Sequence, residues 1–76
     1  MTALEYAEGL LSPVTEEHKA EARIIISELT ALPIGRINIE APPLSAALKE
    51  SIDGIAKRRA RGEPIQYILG KWEFMG

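Results

Sequence analysis

The sequence has no cysteine, and among its 76 residues it has one tryptophan, one phenylalanine and one histidine. Without cysteine there is no disulfide framework, no thiolate nucleophile and no Cys-ligated zinc or iron–sulfur centre. A reducing compartment is therefore permitted, and a cytoplasmic protein is expected. Long apolar runs are also missing. Ile24-Ile25-Ile26 is as long as any, far short of the roughly 20 residues that a bilayer crossing needs. The acidic N-terminus does not resemble a secretory signal. An excess of one charge is lacking too: nine Lys and Arg face eleven Asp and Glu, a formal net charge of -2. No global field recruits nucleic acid or anionic lipid. The glycines stand apart, at positions 9, 35, 54, 62, 70 and 76, and none builds the clustered loop that cradles a phosphate or a dinucleotide.

What is present is ordinary globular composition, 46% hydrophobic and 26% charged, which excludes a disordered tail or a fibre. The length allows one small domain. A chain of this size buries only about 60% of the surface its unfolded form exposes. Every apolar side chain is therefore expected to pack.

Helical punctuation runs along the chain. Thr2 and Glu5 have the spacing of a capping box, and Ala3, Leu4, Ala7, Leu10 and Leu11 form one apolar face before Ser12-Pro13 ends the helix. A second helix starts either with Ser12 as N-cap and Pro13 at the first position, or with Thr15 as N-cap ahead of Glu16 and Glu17. The Thr15 start is preferred, since Pro13 fits a linker equally well. Ala22, Ile25, Leu29 and Leu32 share a stripe that Ile24 and Ile26 widen, and Pro33 stops the helix. From Ile34 to Glu40 the pattern fits helix or strand, and a short helix over 35–40 is the choice. Ser45 caps a helix that runs to Arg61 and closes at Gly62, with Leu48, Ile52, Ile55 and Arg59 on one face. Pro64 opens a further turn carrying Ile65, Ile68 and Leu69, ended by Gly70. Residues 71–76 alternate aromatic and charged side chains as a half-buried strand does. The expected fold is all-α, a small antiparallel bundle of four to five short helices ending in a single orphan strand.

Few residues carry chemistry. His18 stands in the first turn of the second helix without a legible Ser, Asp or Cys constellation, so a structural or surface role is expected rather than catalysis or metal ligation. Glu16-Glu17 are adjacent and face different directions, which suits dipole compensation better than acid–base work. Lys57-Arg58-Arg59-Ala60-Arg61 is the strong charge cluster, placed where cations favour a helix C-terminus. At about 100° per residue, Arg58 and Arg61 share a flank, Lys57 points away, and Arg59 enters the apolar stripe. The bland reading is a solvated helix end. The functional one is a partner-binding patch formed by Arg58 and Arg61. No aromatics are interleaved, so nucleic acid is the least favoured partner. Arg59 is expected to lay its stem over apolar neighbours and to pair with a carboxylate, Glu63 being a candidate.

From Arg58 to Gly76 the run Arg-Arg-Ala-Arg-Gly-Glu-Pro-Ile-Gln-Tyr-Ile-Leu-Gly-Lys-Trp-Glu-Phe-Met-Gly closely resembles the junction of the HemK (PrmC) family of protein-(glutamine-N5) methyltransferases. The matching positions are Arg59, Gly62, Glu63, Pro64, Tyr67, Ile68, Gly70, Glu73, Phe74 and Gly76. The run Glu21 to Ile26 and the Leu44-Ser45 helix start are compatible with the family pattern. The resemblance implies that residues 1–70 are a helical N-terminal, substrate-recognition domain. It implies that residues 71–76 begin a linker β-hairpin to a Rossmann-like catalytic domain outside this sequence. That domain would bind S-adenosylmethionine and methylate the glutamine of the Gly-Gly-Gln motif in peptide chain release factors. The family's Asn-Pro-Pro-Tyr motif has no counterpart here, because Pro42-Pro43 lies between Ala41 and Leu44. No residue of this chain inherits a catalytic, cofactor-binding or metal-binding role, and the chain alone is expected to be inactive. Its expected partners are a release factor and the family's catalytic domain, with no membrane. The alternatives are a free-standing helical protein-interaction module and, less favoured, a small nucleic-acid-binding bundle.

Overall fold

The structure is a computed structural model that describes residues 1–70, and within them it contains α1 (Ala3–Leu11), α2 (His18–Thr30), α3 (Ile37–Glu40), α4 (Ala46–Ala60) and α5 (Ile65–Leu69), with a 3-10 turn over Ile34–Arg36 leading into α3. The all-α expectation holds among these residues. The strand expected over 71–76 lies outside them.

Local chemistry explains most of the boundaries. The Thr2 hydroxyl accepts from the Glu5 amide at 3.1 Å, and a Glu5 carboxylate oxygen accepts from the Thr2 amide at 3.0 Å, so α1 begins with a complete capping box. Its first free amide, that of Ala3, donates to the Pro42 carbonyl at 3.0 Å, beside an isolated bridge between Thr2 and Pro43. At α4 the Ser45 hydroxyl accepts from the Leu48 amide. Its far end closes as a Schellman motif: Gly62 (φ +97°) donates to the Arg59 carbonyl and Glu63 to the Arg58 carbonyl, with the left-handed residue where glycine is favoured.

The start of α2 needs correcting. Thr15 does not cap it; the helix begins at His18 with Glu17 at the N-cap and no side-chain cap. The reason is that the Leu11 carbonyl accepts from both the Val14 and Thr15 amides, extending α1 into a turn, and the Thr15 hydroxyl serves the Glu17 amide inside the connection. The short helix expected over 35–40 is present, preceded by the tighter turn from Ile34.

Pairing of the ends sets the directions. Thr2 lies beside Pro43, and Tyr6 reaches Asp53, so α1 and α4 run the same way; Glu21 near the start of α2 meets Arg59 near the end of α4, so α2 runs against both. Leu11, Ile25, Ile26, Ile37 and Ile52 are the largest fully buried side chains. Ala3, Ala7, Ala22 and Ala56 are buried between them, and their small size lets the helices approach closely. Ile24, expected to widen the α2 stripe, is only half-buried, whereas Ile26 is buried.

Candidate functional site

The basic run at the end of α4 is split by the helix into an inward and an outward part. Arg59 turns inward. Its Nε donates to Glu21 Oε1 at 2.8 Å and a terminal nitrogen to Oε2 at 3.2 Å, a bidentate pair whose side chains are 21% and 12% exposed. Donating to Glu21 holds the guanidinium above its usual pKa against the opposing effect of burial. Glu63 is therefore not the partner of Arg59. That carboxylate belongs to Arg58, which reaches it with Nε at 3.0 Å and a terminal nitrogen at 2.8 Å. The physical reason is the Schellman turn. It folds Glu63 back over the Arg58 carbonyl, on the solvent side of α4, whereas Arg59 keeps core register and meets α2.

The outward part holds Arg58, Arg61 and Lys57, all exposed. Arg61 and Lys57 make no ion pair among the described residues. The hydrogen bond from Arg58 holds the Glu63 carboxyl below the usual carboxylate range, with the charges of Arg58 and Arg61 adding to the effect. Alongside lies α5. Pro64 stands at its N-cap, Ile65 is buried, and Gly70 ends it in the left-handed region (φ +66°). Tyr67 on this short helix is 70% exposed. Of the other junction residues, Ile68 is half-buried and Glu73, Phe74 and Gly76 lie outside the described residues. Among the described residues the junction motif is thus mostly a backbone device: two left-handed glycines, Gly62 and Gly70, bracket α5.

A polar cluster that sequence reasoning missed joins α1 to α4. The Tyr6 hydroxyl donates to Asp53 Oδ1, Lys49 bonds Asp53 Oδ2 at 3.2 Å, and its ammonium stands 5.5 Å from the Tyr6 ring centre. Tyr6 foremost, then Lys49, keeps the Asp53 carboxyl below its ordinary value, while Asp53 raises Lys49. The spacing of Lys49, Asp53 and Lys57, four residues apart along one face of α4, was the available signal. His18 opens α2, half-buried, with Nδ1 shielded and without a hydrogen-bond partner among the described residues. Among those residues no group of three or more His, Cys, Asp or Glu side chains gathers as a metal ion requires, and no helix is long and apolar enough to cross a membrane. The outward cations and an exposed tyrosine can bind carboxylates and cover a partner's surface.

The family model described as the PrmC N-terminal domain matches residues 2–70, nearly the whole chain. No solved structure matches.

Proposed function

The chain belongs to the PrmC N-terminal domain family, and on that footing we propose that it recognises a protein substrate for a methyltransferase. The substrate is a peptide chain release factor, and the reaction is methyl transfer from S-adenosylmethionine to the glutamine of its Gly-Gly-Gln motif. The observation that carries this reading is the family match over 2–70, a span that includes the entire bundle and the basic end of α4. The bundle supplies surface rather than bond-making groups. Lys57 and Arg61 offer cations, Arg58 a guanidinium already oriented by Glu63, and Tyr67 a ring with a hydroxyl. Arg and Tyr are favoured in interfaces because a planar fork engages carboxylates bidentately and a ring covers area at low entropic cost.

The methyl donor is assigned to the family's catalytic domain. Neither the groove lined by Leu4, Glu8 and Ile37 nor the one bounded by Ala31 and Pro33 has a glycine in its lining. No residue is therefore assigned to the donor. The release factor and the family's catalytic domain are the partners in this reading, and the cytoplasm, where translation terminates, is the setting.

Titrating the isotope-labelled chain with a release factor should shift the amides of Lys57–Gly62 and Tyr67. Replacing Arg58 and Arg61 with Gln removes both cations without setting new carboxylates against Glu63; it should leave the domain folded, because exposed pairs contribute little, and should weaken binding by about tenfold. A release factor that shifts no amide of the chain refutes the reading.

A further inference from the structure

The end of the bundle opposite the basic cluster carries a second surface of different chemistry. In so small a domain every large apolar side chain is needed inside, yet Ile39 is 72% and Ile34 50% exposed, and Met1 beside the Thr2–Pro43 bridge is 81% exposed. The connection that displays the two isoleucines is bracketed by Ala31 (φ +63°) and Ala41 (φ +43°). Left-handed backbone is strained for alanine, and strain of this kind persists where the surrounding structure or a function requires it. Each alanine borders a groove. One, of about 300 Å³, lies between α1 and α3 and is lined by Leu4, Ile37, Asn38, Glu5 and Glu8 together with Thr2 and Ala41; the other is bounded by Ser27, Glu28, Ala31, Leu32 and Pro33.

Charge decides what fits. Every charged residue lining either groove is acidic. The cation on the connection, Arg36, is neutralised by Glu40 at 2.6 Å. Glu5 has one carboxylate oxygen engaged with the Thr2 amide, and Glu8 has no side-chain partner among the described residues. We infer that this end binds a basic amphipathic helix of a partner protein, its apolar side on the exposed Ile34 and Ile39 and its cations against Glu8 and Glu5. The mode is helix-in-groove recognition. It stands apart from the basic end, about 22 Å away along the fifteen residues of α4, and does not rest on the release-factor reading.

The probe is a synthetic helix of roughly 18 residues, Leu on one face and Lys on the other, labelled for anisotropy. It should bind the 76-residue chain saturably and shift amides within 2–8 and 34–41, while its counterpart with Glu in place of Lys should not bind. The double variant Ile34→Ser/Ile39→Ser changes two side chains outside the buried core; a retained helical circular dichroism spectrum checks that it is folded, and its affinity should be lowered about tenfold. Glu8→Lys should weaken the Lys helix and strengthen the Glu helix, a reversal that loss of folding cannot mimic. The inference is overturned if both variants bind the Lys helix as the parent does, or if the shifts fall elsewhere. It is equally overturned if the face proves to be covered by a second copy in sedimentation, or by residues 71–76, seen as tighter binding once they are removed.

Discussion

Replacing Arg59 with Ala would remove both hydrogen bonds to Glu21 and leave that carboxylate, in a residue only 9% exposed, without its partner. Breaking a fully buried pair from one side costs about 3–5 kcal/mol, because the remaining charge stays desolvated. Here the guanidinium side chain keeps 21% exposure, so water can reach part of the gap and the expected loss is about 2–4 kcal/mol. A domain of this length has roughly 4–11 kcal/mol of total stability. The loss would lower Tm by about 8–32 °C, at roughly 4–8 °C per kcal/mol for a domain of this size. Urea melts followed by circular dichroism should show it as a fall in midpoint with little change in slope. Replacing both partners with apolar residues of similar length, Glu21→Leu with Arg59→Met, should restore most of the loss, since no unpaired charge remains. High salt should leave the pair largely untouched, in contrast to the exposed Arg36–Glu40 pair. If Arg59→Ala and Glu21→Gln each cost less than about 0.5 kcal/mol, the pair behaves as a surface contact, and the clamp between α2 and α4 is not what the geometry implies.

Other outcomes follow from single features. Thr2→Ala removes half of the capping box and should cost about 1 kcal/mol in a urea melt. Ile52→Ala, at a fully buried site between helices, should cost about 2–5 kcal/mol and bring the domain close to unfolding at room temperature, visible as lost amide dispersion. Ala41→Gly relieves a left-handed alanine and should raise the urea midpoint, by about 0.5–1 kcal/mol after the extra entropy of glycine is counted. Asp53 and Glu63 are held below their ordinary 3.8 and 4.5, so the unfolded chain binds more protons than the folded one in that range and stability rises with pH through it. Their contribution is complete above about 4.5 and is lost as pH falls through the lower folded values; Glu63→Gln and Asp53→Asn should each flatten this acid limb of midpoint against pH. Lys49 is raised above 10.5, so its contribution is complete below that value and is lost as pH rises through the folded one.

What could be read in the residues was what is decided locally. Thr2 with Glu5, Ser45, Gly62, Pro64 and Gly70 each act within a few positions, and each ends or begins a helix as its chemistry requires. Thr15 was misread for the same reason: its hydroxyl does cap an amide, but one inside a turn whose length depends on Leu11 accepting two donors. The choice of partner for Arg59 is a contact across 38 residues. Glu63 was nearer in sequence, yet the signal for Glu21 was present, because each of these opposite charges interrupts an apolar stripe, one on α2 and the other on α4. The outward flank of Arg58 and Arg61 follows from helical spacing alone, whereas the capture of Arg58 by Glu63 needs the Schellman turn. The left-handed alanines at 31 and 41 have no residue-level signal, alanine being poorly suited to that backbone, and the exposed isoleucines between them contradict the expectation that every apolar residue packs.

The two side-chain ties that reach furthest along the described residues, Tyr6 to Asp53 and Glu21 to Arg59, span 47 and 38 residues and both end on α4. During synthesis, α2 is complete at Thr30 and α4 only at Ala60, an interval of roughly 1.5–6 s at about 5–20 residues per second. Throughout it, α1 and α2 lack the helix that covers the side of their core bearing Glu21. A carboxylate on that side opposes premature association with other nascent chains, as charged gatekeepers do beside unavoidable hydrophobic segments. On this ordering Glu21 would serve twice, first as a charge that favours hydration of the growing hairpin and then as the partner of Arg59 when the last long helix arrives.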